Sequence, residues 1–327
     1  MADGQTPSNR QLSIGFILAD RFTLTAFSSF VDVLRLAADA GDSSRPIRCK
    51  WRILSPDLEP VHASCGLRIY PEDRFGDPKD FDYIVVVGGL VEHIESKNIE
   101  FNKFLQKAAA ARVPLVGLCT GSFILHDAGL MDGYKCCVSW FHRADFLERF
   151  EGLEPVSDRI YVVDRDRLTC SGGSSAAHLA AFIVEKHIGR RYARKSLSIL
   201  IVDEVYDGGK AQPNLPLQLS TQDNLLQRAL VIMQQNLENG IKISDLASTL
   251  RMSRRTLEGR FKKELGLTPY EVMNLIRVEK AKDLLINTQD SVSEISLSTG
   301  FCDSSHMYKV FMQREGRPPS AFRKQAS

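Results

Sequence analysis

Four short runs in the first two hundred residues are apolar almost without interruption: LSIGFIL (Leu12 to Leu18), WRIL (Trp51 to Leu54), YIVVVGG (Tyr83 to Gly89) and VPLVGLC (Val113 to Cys119). A strand with one wet face alternates apolar and polar residues. These runs do not, so they predict strands buried on both faces, as in a parallel sheet covered by helices. Helical periodicity between them predicts helices over about 25–40, 96–111, 121–130, 141–149 and 174–189. IYVVD (Ile160 to Asp164) and RLTCS (Arg167 to Ser171) predict a late hairpin turning at Arg165-Asp166. Strands alternating with helices give an α/β doubly wound domain over 11–204, preceded by a disordered start at 1–10.

The pattern then changes. VYDGGKAQPNLPLQ (Val205 to Gln218) has two glycines, two prolines and no period, so 205–219 is expected to be a linker. Downstream every pattern is helical, and 220–327 is expected to be an all-α domain. It contains an internal repeat: Ile243-Ser-Asp-Leu-Ala matches Val292-Ser-Glu-Ile-Ser, and Leu257, Phe261, Gly266 and Pro269 match Met307, Phe311, Gly316 and Pro319. Each copy, about 243–264 and 292–314, is a short helix, a tight turn and a longer helix, the pattern of a helix-turn-helix unit. Ser291-x-x-Glu294 and Thr268-Pro269-x-Glu271 are capping boxes, while Ser253 and Asp303 are suited to cap the second helix of each copy. Between the copies, Pro269 to about Ile286 predicts one continuous helix of roughly 27 Å. A stiff spacer of that length could set two reading helices about one DNA turn, ~34 Å, apart.

Composition adds limits. The chain has 327 residues, 43% apolar and 25% charged, which excludes a mainly disordered chain and a fibrous repeat. No apolar run approaches the roughly 18 residues a membrane span needs. MADGQTPSNRQ has neither a basic nor an apolar leader segment, and the seven cysteines are scattered without a CxxC pair, so a reducing cytoplasm is expected. No His/Cys/Asp/Glu cluster has metal-ligand spacing, and no metal or cofactor is expected. From residue 220 onward 16 Lys and Arg face 12 Asp and Glu, a charge of +4; the remaining 26 and 28 leave −2 upstream. A basic tail behind an acidic front points to nucleic acid at the back.

The second helix of each repeat carries matching chemistry. The first offers Ser253, Arg254, Arg255, Thr256, Glu258, Arg260 and Lys263; the second offers Asp303, Ser304, Ser305, His306, Tyr308 and Lys309. Arginine grips guanine bidentately, while lysine neutralises phosphate without reading sequence. The stretches DLASTLRMSRRTLEGRFKKELGLTPYEVM and VSEISLSTGFCDSSHMYKVFMQREGRPPSAFRK resemble the two halves of the AraC/XylS signature. This resemblance implies a promoter-binding transcription regulator that contacts RNA polymerase. One departure is Gly259, where the family often carries a larger residue.

In the front domain, Gly117-Leu-Cys119-Thr120-Gly121 lies between a predicted strand and a predicted helix. Such an elbow exposes a side chain at the carboxyl edge of a sheet and aims helix amides at the same place. A helix N-terminus also favours thiolate, which makes Cys119 a candidate reactive group. VVVGG, GLCTGSFIL, GLMDG and SGGSSAAHLAAFIVEKHIG resemble the class I glutamine amidotransferase-like superfamily in its PfpI branch, which implies a flavodoxin-like fold. Hydrolytic relatives place a histidine directly after the elbow cysteine, whereas Thr120 stands here. Ser139 replaces a further histidine of the regulator relatives, leaving His142 as the candidate base; His126 reads as a packing or surface histidine.

Joined to an AraC-type tail, this domain resembles the metabolite-sensing part of a known regulator class. Gly88, Gly89, Cys119, Thr120 and Gly121 could bring backbone amides to a carboxylate. Phe22, Trp140 and Phe141 could supply aromatic faces for a quaternary ammonium, with His142 beside them. CVSWFH resembles regulators of betaine and carnitine catabolism. The expected effector is therefore a methylated amine or an amino acid, arginine included. The expected protein is a homodimeric activator without enzymatic activity. The alternatives are a Cys119-dependent hydrolase or glyoxalase-like enzyme with an accessory DNA-binding tail, and a thiol-based redox sensor.

Overall fold

The computed structural model describes residues 11–94, 99–202, 205–212, 221 and 223–326. The expected disordered start at 1–10 and residues 213–219 of the expected linker lie outside the described residues. The chain divides into two compact units, the first ending at Lys210 and the second beginning at Ala211.

The first unit is a doubly wound α/β domain. Its strands are β1 (Leu12–Leu18), β2 (Cys49–Ser55), the short β3 (Val61–His62), β4 (Arg68–Ile69) and β5 (Asp73–Arg74), then β6 (Tyr83–Val87), β7 (Leu115–Leu118), β8 (Tyr161–Asp164) and β9 (Arg167–Cys170). Seven of them form one sheet in the order β5-β2-β1-β6-β7-β9-β8. All pair in parallel except β8, which runs antiparallel to β9. Its helices are α1 (Leu24–Ala38), α2 (Ile99–Ala110), α3 (Gly121–Asp127), α4 (Arg143–Arg149), α5 (Ser175–His187) and α6 (Arg190–Ile199).

The unbroken apolar runs explain this layering. Every residue of β1 and β6 is buried. Alternate residues enter opposite cores: Ile14, Phe16, Val85 and Val87 join α1 and α5, whereas Ile17, Ile84 and Val86 join α2 and α3. Phe16 has no exposed surface and meets Phe27 and Phe30 edge-on at 5.3 and 5.6 Å. Truncation of such a ring typically costs about 3–5 kcal/mol.

Helix α6 and the β3–β4 hairpin were not expected. The hairpin strands are two residues each, too short to show a period. Helix α6 reads RRYARKSLSI, with only Ala193, Ser196 and Leu197 buried. It is held instead by polar bonds to the end of α1. Lys195 Nζ donates to the carbonyls of Leu36 (2.8 Å) and Asp39 (3.0 Å), and Ser196 Oγ donates to that of Val33 (3.0 Å). The helix expected over 141–149 is a 3-10 turn at Trp140–His142 running into α4.

Among the described residues the second unit is all α: α7 (Asn224–Gln235), α8 (Ile243–Thr249), α9 (Arg254–Leu265), α10 (Pro269–Asn287), α11 (Val292–Ser298), α12 (Ser304–Glu315) and α13 (Pro319–Ala326). The repeat is reproduced in length: α8 and α11 have 7 residues each, α9 and α12 have 12. Gly266 and Gly316 end α9 and α12 at φ of 70° and 69°, a left-handed backbone that favours glycine. Both capping boxes form. Helix α10 serves two cores: Val272 and Ile276 pack with α7, α8 and α9, while Val278, Ala281 and Leu285 pack with α11 and α12. Among the described residues no helix is long and apolar enough to cross a membrane.

Candidate DNA interface and elbow site

Strand β7 ends at Leu118, Cys119 turns the chain with φ of +56°, and α3 begins at Gly121. A non-glycine residue in that region typically costs about 1–3 kcal/mol, so the surroundings must fix it. They do so by close backbone packing. A Cβ on Gly121 would strike the carbonyl of Val86, and one on Gly88 would strike the Thr120–Gly121 backbone.

Gly88 and Gly89 therefore serve contact between the end of β6, the elbow and the loop after β1. The Gly88 amide donates to Leu118 O (3.1 Å), and its carbonyl accepts from the Thr23 amide (2.9 Å). Thr120 Oγ1 donates to Gly89 O (2.8 Å). The expected use of these glycines, to admit a carboxylate, thus meets a Gly88 amide already engaged.

The thiol of Cys119 lies 3.4 Å from Thr23 Oγ1. On another side Gly172 (φ +91°) leaves room only for hydrogen, since a Cβ there would sit 3.0 Å from the sulfur. Burial pushes the Cys119 thiol up, against the opposing pull of the Thr23 hydroxyl and the Thr120 amide. At neutral pH the group is a thiol rather than a thiolate. A hydroxyl such as that of Thr23 is no general base at neutral pH.

The histidines are engaged elsewhere. His142 Nδ1 is 2.8 Å from Asp145 Oδ2. His126 sits against the rings of Phe146 and Phe150, each 5.0 Å away, and burial pulls it down to about 4. Trp140 is half-buried and edge-on to Phe141 (5.7 Å), a residue 67% exposed. Phe22 has no exposed surface and packs edge-on to Phe27 at 5.8 Å, so its ring belongs to the core and not to a ligand wall. Thr23 and Gly172, the neighbours of the sulfur, had no sequence signal beyond the glycine pair in SGGSS.

In the second unit, Ser253 Oγ accepts from the Thr256 amide (3.1 Å) and Asp303 Oδ1 from the His306 amide (2.7 Å), so both reading helices are capped as expected. Arg255, Thr256, Ser304, Ser305, Tyr308, Lys309 and Lys263 are exposed. Arg254 Nε donates to Glu258 Oε1 one turn on (2.7 Å).

Two expected readers, both half-buried, are engaged within the domain. Arg260 Nη1 donates to Asp223 Oδ2 (2.5 Å), the carboxylate that caps α7. His306 lies edge-on to Phe301 at 5.3 Å, with Nδ1 buried and no hydrogen-bond partner among the described residues. Their partners come from another element or from the turn before the helix, which the helix pattern alone does not reveal.

Two capped helix-turn-helix units sharing one helix, together with a doubly wound α/β domain, define a DNA-binding transcription regulator with an attached α/β domain. A helix-turn-helix domain family matches residues 246–325, and the DJ-1/PfpI family matches residues 12–186. The transcriptional regulator GbdR of Pseudomonas aeruginosa is 34% identical over 97% of this chain and 86% of its own length. The regulator CdhR of the same species is 29% identical over 93% of this chain and 89% of its own. A crystal structure of an AraC family transcriptional regulator from Pseudomonas putida, 28% identical, superposes with a TM-score of 0.50 over 58% of this chain and 99% of that one. The chain belongs to the AraC-type helix-turn-helix transcription regulators that carry a DJ-1/PfpI domain.

Proposed function

We propose that this regulator is a cytoplasmic homodimer that activates transcription through RNA polymerase when its α/β domain binds a small metabolite, a methylated amine or an amino acid. The observation that carries the regulatory reading is the pair of helix-turn-helix units of equal helix length, capped alike and built on one shared helix. Binding energy at the sensor is passed to DNA affinity, a coupling typically worth about 1–3 kcal/mol. We further propose that the elbow does no catalysis. Its thiol is protonated at neutral pH and its hydroxyl neighbour, Thr23, is no base.

The test pairs fluorescence anisotropy on promoter DNA with intrinsic fluorescence titration of candidate metabolites. Metabolite-dependent DNA affinity that survives Cys119→Ser supports the reading. Turnover of a metabolite that Cys119→Ser abolishes, with DNA affinity indifferent to it, supports the hydrolase instead.

A further inference from the structure

At the elbow the half-buried thiol meets Thr23 and Gly172, Gly88 is packed on Thr120, and the Phe22 ring is inside the core. A larger space is found along another face of the first unit. A cavity of about 820 Å³ opens along α5, α6 and the chain beyond them. Small-molecule sites typically span about 300–1,000 Å³. Helix α5 presents His178, Phe182 and Glu185 to it, and α6 presents Arg190 and Arg194. The remaining wall includes Tyr161 and the segment Val205, Tyr206 and Asp207.

The lining has the chemistry of two opposite charges around aromatic rings. Arg194 is exposed and has no side-chain partner among the described residues; Arg190 is only loosely matched to Glu185, at 3.9 Å. Two guanidinium groups, one of them without a side-chain partner among the described residues, suit a carboxylate. The rings of Tyr161 and Phe182 lie 6.1 Å apart and tilted, and Tyr206 already holds the Lys210 ammonium 4.5 Å over its face. With Glu185 and Asp207 nearby, those faces suit a cationic nitrogen. His178 is 6% exposed, and burial lowers its pKa, so the imidazole is neutral. Its Nδ1 accepts from the Tyr206 amide (3.4 Å), which leaves the proton on Nε2.

The same wall ends in the segment that precedes the second unit in sequence. Gly208 packs on the Tyr161 ring, where a Cβ would come within 2.9 Å, and the Lys210 carbonyl accepts from the Ile160 amide (2.9 Å). Ala211 begins the DNA-binding unit. An occupant touching Tyr206 and Asp207 would meet the segment that precedes that unit in sequence.

We propose that this α5–α6 groove, rather than the elbow, is the effector site, and that it takes a small zwitterion with a carboxylate at the arginines and a cationic nitrogen at the aromatic rings. The proposal rests on the reading that the first unit senses a metabolite. The test is isothermal titration of the full-length protein with glycine betaine, carnitine and L-arginine as probes. At least one probe is expected to bind. Arg194→Glu and Tyr206→Ala are each expected to weaken that probe at least tenfold, while Cys119→Ala changes it less than twofold. Arg194 is exposed, so its variant keeps the fold, and unchanged melting checks this for both. A probe that binds wild type and Arg194→Glu equally, but not Cys119→Ala, overturns the groove and leaves the metabolite-sensing reading standing. A wild type that binds none of the three refutes the effector class on which both readings rest.

Discussion

Arg277, on the helix shared by the two helix-turn-helix units, holds its guanidinium 5.8 Å over the ring of Phe301. Phe301 lies in the turn of the second helix-turn-helix, and its neighbour Gly300 (φ +77°) lies directly against the carbonyl of Leu237, which packs against the core of the first. The two units are thus joined at a second place besides the backbone of α10. Gly300→Ala would drive a Cβ into that carbonyl at a backbone angle that disfavours side chains. The expected loss is about 2–3 kcal/mol of stability, read from urea denaturation followed by helical circular dichroism. A midpoint equal to wild type contradicts the junction.

Gly259 presents the opposite case. It lies mid-helix in α9, exposed, with no atom within 4 Å of where a Cβ would stand. Gly259→Ala is expected to stabilise the second unit by about 0.5–1 kcal/mol, because alanine gives up less backbone freedom on folding. The same denaturation experiment reads the sign.

The exposed cations on α9 are expected to divide by role. Arg255→Ala is expected to relax base preference at one position, losing about 1–3 kcal/mol of discrimination. Lys263→Ala is expected to weaken all sequences alike and to lower the salt slope by about 1. Arg260→Ala acts differently, because it frees Asp223 at the start of α7. Its expected effect is on melting before base preference. Binding to an operator and to single-base variants, over a salt series, separates the three.

The pH dependence of the first unit follows from buried histidines and thiols. His126 is pulled down to about 4 by burial, so the unfolded chain takes up a proton that the folded chain refuses. The stability this contributes is complete above the unfolded value, ~6.5, and is lost as pH falls toward 4. His178 and His187 are lowered too and act in the same direction. Buried thiols act on the other side: Cys49 and Cys136 are pushed up to about 12, and their contribution is lost as pH rises from the unfolded value, ~8.5, toward 12. Melting is expected to be highest between about pH 6.5 and 8.5, and His126→Leu should flatten the acid side. Equal acid sensitivity in wild type and variant removes His126 from the account.

Local rules made much of the chain legible. The bounds of β1 could be read directly, because a seven-residue run, apolar but for Ser13 and buried on both faces, lies between Gln11 and Ala19-Asp20. The capping boxes at Thr268 and Ser291 and the glycines at 266 and 316 follow from backbone needs within one turn. What stayed hidden depends on partners distant in the chain. Helix α6 is anchored by Lys195 on carbonyls more than 150 residues earlier. Arg260 resembles a DNA reader until Asp223, 37 residues away, is seen beside it. At the elbow the glycine pattern was visible but its purpose was not: Gly88 and Gly121 let backbone meet backbone.

Helices α9 and α12 are expected to act as one reading unit because α10, whose 19 residues span about 28 Å, holds them both. A duplex selected from a random-sequence pool, with its two half-sites mapped by footprinting, gives the direct measurement: affinity before and after inserting about half a helical turn, ~5 base pairs, between the half-sites. A loss of at least tenfold, together with a steep salt slope, is the expected result. Affinity unchanged by the insertion contradicts the account.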